Sequence, residues 1–139
     1  VLVVPHPLTT VEWAAVQSGP VVVGNDASEH AQRALTAATT LFPHRTRLMV
    51  TVEESPGSPA PSPVEGTELV TVRCSGRAGR PRATAATLAD EAARRRAAVV
   101  VVGSRGRGGA RDTLVGHVTR ALLHCAHRPV LVVPARPAG

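Results

Sequence analysis

Valine-rich apolar runs recur along this chain, and between them lie stretches with apolar residues three or four positions apart. Val21-Val22-Val23-Gly24 is continuously apolar, as a strand buried on both faces should be. Leu48 to Val52, Glu68 to Arg73, Val99 to Val102 and Val130 to Val133 read as four further strands. After the first strand, Ala31, Ala34, Leu35, Ala38 and Leu41 recur at helical spacing, and Pro43 stops the helix. Asp26 and Ser28 are both candidate caps for it. Ala83 to Arg96 reads as another helix, apolar at Ala86, Leu88, Ala89, Ala92 and Ala93. Leu114, Val115, Val118, Ala121, Leu122 and Cys125 line one face of a closing helix, which Pro129 ends. Ser55 to Gly66 has no apolar period and reads as a loop, as does the basic stretch holding Arg73, Arg77, Arg80 and Arg82. Strands alternating with helices predict an α/β domain with a parallel sheet and right-handed crossovers. Ligands bind such sheets at the carboxyl ends of the strands. Asp26 and Gly103 each fall just past a strand end, so their loops are expected to face one site.

Composition narrows the partners. The length of 139 residues suits one domain with a modest core of Val, Leu and Ala. One Phe, one Trp and no Tyr leave little for stacking on bases. The formal charge is +6, and every cation is Arg because the chain has no Lys. Richness in Arg, Ala and Pro without Lys fits a GC-rich genome, so a solvated basic surface is the simplest reading, ahead of a nucleotide and well ahead of nucleic acid. Arg94-Arg95-Arg96 falls in the last turn of a helix, where cations complement the dipole without any ligand. Cys74 and Cys125 lie far apart and read as reduced thiols, with no zinc spacing. No apolar run reaches the ~18–20 residues of a membrane span, and Val1 to Val4 is too short for a signal segment. The expected compartment is the cytoplasm.

The candidate chemistry lies where the fourth strand stops. Val99 to Val102 breaks into Gly103-Ser104-Arg105-Gly106-Arg107-Gly108-Gly109, and Gly116-His117 opens the closing helix. Glycines let a backbone approach an anion closely, and the free N–H groups of a first helical turn point at it. The loop lacks the Gly-Lys-Ser/Thr of a Walker A motif and follows the wrong strand for a dinucleotide fingerprint. Arg105-Gly106-Arg107-Gly108-Gly109 resembles an RNA-binding RGG segment, but a single copy without aromatics argues against that use. A tight strand-to-helix turn without a ligand is the plain alternative. His124, Cys125 and His127 read as a helix end and not as a metal site, and Asp112 as a charge at a helix start. No nucleophile–base–acid set is present in the sequence pattern, so any hydrolysis is expected to be weak.

Val1-Leu2-Val3-Val4-Pro5 is repeated as Val130-Leu131-Val132-Val133-Pro134. Residues 1–5 therefore read as the closing strand of an upstream copy in a tandem repeat. Residues 6–19 then read as a linker, 20–134 as the domain and 135–139 as a tail.

Taken together, Gly103, Gly106 and Gly116 fall on a G-x2-G-x9-G spacing, Val23 to Ser28 forms an opening strand with an acidic turn, and Leu122 to Val133 forms a characteristic ending. These residues resemble the universal stress protein family from about Pro20 to Pro134. The resemblance implies a Rossmann-like open sheet of five parallel strands in the order 3-2-1-4-5, with helices on both faces. It implies ATP, with or without Mg, on the glycine loop. Carried over by position, Asp26 contacts the ribose side, Val52 the adenine, and Gly103, Gly106, Gly116 and Val118 the phosphates and ribose through backbone groups. Gly24, Asn25, Val102, Ser104, Arg105, His117 and Thr119 complete the candidate set. His117 stands where the family has Ser or Thr. Ser55 to Thr67, with Pro56, Pro59, Pro61 and Pro63, is too short for the family's second helix, which is expected to be missing. The function implied is an ATP-binding regulatory module of the stress response. The alternative is a degenerate copy that binds no nucleotide and serves dimerisation. The family's last strand is a sheet edge, so homodimerisation or pairing with an upstream copy is expected through it, with Val1 to Val4 antiparallel to Val130 to Val133. Neither a membrane nor nucleic acid is an expected partner.

Overall fold

The valine runs form one sheet in the computed structural model, which describes residues 1–5, 7–53, 64–74, 80–104 and 116–134. In chain order the elements are β1 (Leu2–Val3), α1 (Thr10–Ser18), β2 (Val21–Asn25), α2 (Glu29–Leu41), β3 (Arg47–Glu53) and β4 (Thr67–Arg73). They are followed by α3 (Pro81–Arg94), β5 (Val99–Gly103), α4 (His117–Cys125) and β6 (Val130–Val133). The sheet has six strands in the order β1-β6-β5-β2-β3-β4. The expectation of five parallel strands is corrected on this point. β2 to β6 are parallel, but β1 adds antiparallel to β6 and makes the sheet mixed.

β1 pairs with β6 while its own side chains stay exposed. Leu2 faces Leu131 and Val3 faces Val130. The Val1 ammonium donates to the Val132 carbonyl at 2.9 Å, and the Val132 N–H donates back to Val1 at 2.8 Å. This is the antiparallel pairing that the repeated pentapeptide led us to expect.

Successive residues of a strand point to opposite faces, so the continuous valine runs feed two cores. Val22, Val50, Val100, Val130 and Val132 pack with Leu88 and Ala92 of α3 and Leu122 of α4. Val21, Val23, Met49, Val99 and Val101 pack with Ala34, Leu35 and Ala38 of α2 on the other face. Helices thus cover both faces. Ala34, Ala38, Ala85 and Ala92 are fully buried, and their small side chains let the helices lie close to the sheet. The expected absence of a second helix falls on residues 54–63, outside the described residues.

The segment read as a linker, 6–19, contains α1. Only Ala15 of this helix is buried, so it lacks the apolar stripe that reveals a helix in sequence. Polar contacts hold it instead. Thr9 and Glu12 form a capping box at its start. At its end the Arg45 guanidinium donates to the carbonyls of Val16, Gln17 and Gly19 at 3.4, 2.7 and 2.9 Å. A cation on the last carbonyls of a helix satisfies orphan acceptors and opposes the dipole. This contact places α1 at the end of the sheet where the parallel strands begin.

The triple arginine is more than a solvated helix end. Glu91 is buried on α3, with Arg95 Nε at 2.9 Å and Arg94 Nη1 at 3.3 Å from its carboxylate. Arg96 turns left-handed at φ 53°. The N–H of Ala97 then reaches the Ala92 carbonyl and that of Arg96 the Ala93 carbonyl, closing α3 in a Schellman turn.

Candidate functional site: a cradle at the strand ends

β2 and β5 are neighbours, with Val23 beside Val101, so Asn25 and Gly103 end their strands side by side. The turn after β2 is built by its own side chains. Asn25, buried, accepts the Ala27 N–H on Oδ1 at 3.1 Å and donates from Nδ2 to Thr51 Oγ1 on β3 at 3.2 Å. Asp26 Oδ1 accepts the Ser28 N–H at 2.9 Å. Ala27 sits left-handed at φ 63°, a conformation that costs a residue with a Cβ roughly 1–2 kcal/mol. The two side-chain bonds on either side of Ala27 hold it there. Of the two candidate caps, Ser28 caps α2 by accepting the Ala31 N–H, while Asp26 shapes the turn before it and stays exposed.

Gly103 is glycine for a packing reason. A Cβ there would lie 2.7 Å from the His30 Cβ and 2.9 Å from the His30 carbonyl oxygen, in the first turn of α2. The end of β5 therefore runs directly against the start of α2. Ser104 is buried, and its carbonyl accepts the Gly116 N–H at 2.6 Å. The buried Thr119 hydroxyl donates to the Gly103 carbonyl at 2.8 Å. These two bonds fasten the start of α4 to the end of β5. Gly116 caps α4 with no side chain, so the first-turn N–H groups of α4 have no capping oxygen of its own.

Most of the expected residues therefore meet at one end of the sheet. Gly24, Asn25 and Asp26 come from the β2 turn, Val102, Gly103 and Ser104 from the end of β5, and Gly116, His117, Val118 and Thr119 from the start of α4. Val52 lies one residue before the end of β3, beside Val72. Arg105 and Gly106 lie outside the described residues, as do Arg107 to Val115. His117 is exposed at the first position of α4. The Thr119 hydroxyl proton is spent within the chain, so toward a ligand its side chain can only accept. Sequence reasoning missed His30, whose Nδ1 is buried with no partner among the described residues. Only the close approach at Gly103 reveals it.

Two helix N-termini, at Ser28 and Gly116, converge on these strand ends and give the cradle positive polarity without a lysine. Among the described residues no three His, Cys, Asp or Glu side chains gather as a metal site, and no helix is long and apolar enough to cross a membrane. At the far end of α4, burial and then the Asp90 charge push the Cys125 thiol above its ordinary 9.0. Because the folded value is raised, the protonated thiol favours the fold at lower pH, and that contribution fades as pH rises through the raised value.

The elements and the cradle together define a doubly wound α/β protein in which two helix N-termini meet at the topological switch point of the sheet. The universal stress protein family matches residues 65–134, just over half of the chain, and the chain belongs to this family. None of the curated proteins matches it. Solved structures share its fold. A universal stress protein from Archaeoglobus fulgidus DSM 4304 superposes with a TM-score of 0.65 at 22% identity, covering 96% of this chain and 49% of that one. UspA from Lactobacillus plantarum gives 0.58 at 18% identity over 83% of this chain and 97% of that one. A universal stress protein solved in complex with cAMP gives 0.54 at 22% identity over 85% and 98%.

Proposed function

We propose that the chain binds an adenine nucleotide, ATP with or without Mg, at the carboxyl ends of β2 and β5, and acts as a cytoplasmic regulatory module in the stress response. The observation that carries this reading is the junction of Gly103, Ser104 and Gly116, which aims the uncapped first turn of α4 at the strand ends. Backbone N–H groups at such a turn bind phosphate oxygens directly. The neighbour solved with cAMP supports an adenine nucleotide as the ligand class. In this reading Asp26 meets the ribose hydroxyls and the Val52 backbone meets the adenine edge, while Gly103, Gly106, Gly116 and Val118 hold phosphate and ribose. Mg travels with the phosphates. Hydrolysis is at most slow.

His117 takes the place of a hydroxyl donor in this reading. Its exposure at the first position of α4 lets the imidazole meet a phosphate from the solvent side. His117→Ser is expected to weaken ATP binding several-fold, through loss of the imidazole contact to phosphate. Calorimetric titration of both proteins checks this. Tighter binding by the Ser variant would show that His117 obstructs the site instead.

A second reading, a pairing module, is favoured by the register of β1 on β6. Leu2 and Leu131 hold the same place in the repeated pentapeptide and face each other, as equivalent residues do about a two-fold axis. β1 thus stands where the last strand of a second domain would stand. We read residues 1–5 as that strand from an upstream copy and 20–134 as the domain proper. The Archaeoglobus structure, of which this chain spans 49%, supports a tandem arrangement. Cysteines introduced together at Leu2 and Leu131 are expected to form a disulfide. A monomeric product on a non-reducing gel fits pairing within one chain, a dimeric product fits a second copy, and no cross-link contradicts the register.

A further inference from the structure

We propose that Arg128, together with the first turn of α1, receives a phosphate group at the end of the sheet opposite the nucleotide cradle. Arg128 lies between the end of α4 and β6 and is only 5% exposed. Its Nε and Nη1 are buried with no hydrogen-bond partner among the described residues. No carboxylate among those residues lies within 4.0 Å of it. Guanidinium cannot shed its charge, so burial without a counter-charge is costly, and the side chain calls for an anion.

Two observations place that anion. The antiparallel register of β1 and β6 points the end of β1 toward Pro129 and Arg128. Arg128 and His127 also act electrostatically on Glu12, in the first turn of α1, and help hold its carboxyl below the ordinary range after the dominant Thr9 N–H bond. Arg128 therefore lies near the first turn of α1. The capping box occupies the Thr9 and Glu12 N–H groups, and α1 itself supplies no acceptor for those of Thr10 and Val11. Among the described residues, Glu12 is a carboxylate close to this place. It is bound to Thr9 and leaves the guanidinium unpaired, so a ligand must bring enough charge to outweigh it. Phosphate, with up to two charges and several acceptor oxygens, does so better than a carboxylate. The pair Arg128 and α1 thus forms a second anion site, separate from Gly103 and Gly116.

Thermal denaturation of the full chain tests this in phosphate, acetate and chloride at equal ionic strength. About 50 mM phosphate is expected to raise Tm by about 3 °C over chloride. Arg128→Met should abolish that rise and, in chloride, be at least as stable as wild type. An equal rise in both proteins would place the phosphate elsewhere, the nucleotide cradle included. No rise in wild type, an equal response to acetate, or a less stable Arg128→Met in chloride would each overturn the proposal. If the variant fails to fold, the wild-type Arg128 Nε–H resonance decides. It should shift on phosphate addition, and an unmoved signal would overturn the site.

Discussion

Gly19→Ala is expected to destabilise the fold by about 3 kcal/mol or more, the largest loss predicted for any single methyl group here. Gly19 follows α1 with extended backbone, so its conformation alone would suit any residue. The constraint is space. A Cβ at this position would fall inside contact distance of Arg96 O, Ala15 O and Ala98 N, all of them main-chain atoms. No rotamer change relieves such a clash. Moving α1 away does not relieve it either, because Ala15 belongs to α1 itself and accepts the Gly19 N–H. The variant must unwind the end of α1 and surrender the Arg45 contacts to Val16, Gln17 and Gly19. Thermal denaturation should show a fall in Tm of about 8 °C or more, and Trp13, the only tryptophan, reports on α1 by fluorescence. A Tm within about 2 °C of wild type would mean that α1 does not dock through Gly19.

Gly103→Ala is the second large effect, and it joins stability to function. The added methyl meets the Cβ, carbonyl carbon and carbonyl oxygen of His30 at 2.7 to 3.0 Å. The first turn of α2 must shift to admit it, at about 1–3 kcal/mol. The same shift moves the end of β5, to which the Gly116 N–H is tied through Ser104 and the Thr119 hydroxyl through Gly103. Phosphate donors displaced by even a fraction of an ångström lose their alignment. ATP affinity is therefore expected to fall about tenfold or more in a protein that still folds. Denaturation and titration of the same sample separate the two losses. Unchanged affinity in a destabilised protein would detach this junction from the ligand site.

The strands were legible because burial on both faces demands continuous apolar runs, and the short, β-branched runs Val99 to Val102 and Val130 to Val133 favour strand over helix. The pentapeptide repeat also foretold where β1 would lie, because an edge strand offers its unpaired backbone groups to a second strand. α1 was not legible by period, since only Ala15 is buried and its anchors, Arg45 and Gly19, are tertiary. Its local signature was present in Thr9-Thr10-Val11-Glu12, a capping box that gives a helix start without an apolar face. In the cradle, the glycine spacing marked Gly103 and Gly116, and the acidic turn marked Asn25 and Asp26. The sequence alone offered no route to His30 behind Gly103, to Glu91 beneath the triple arginine, or to Arg128 without a partner. Each depends on what the fold brings alongside it.

Calorimetric titration of the wild-type chain with Mg-ATP tests the nucleotide reading most directly. The account predicts a saturable heat at about one ATP per chain, with a Kd below about 1 mM. Absence of heat up to about 5 mM nucleotide, in a sample shown to be folded, would contradict it and leave edge pairing as the function of this domain.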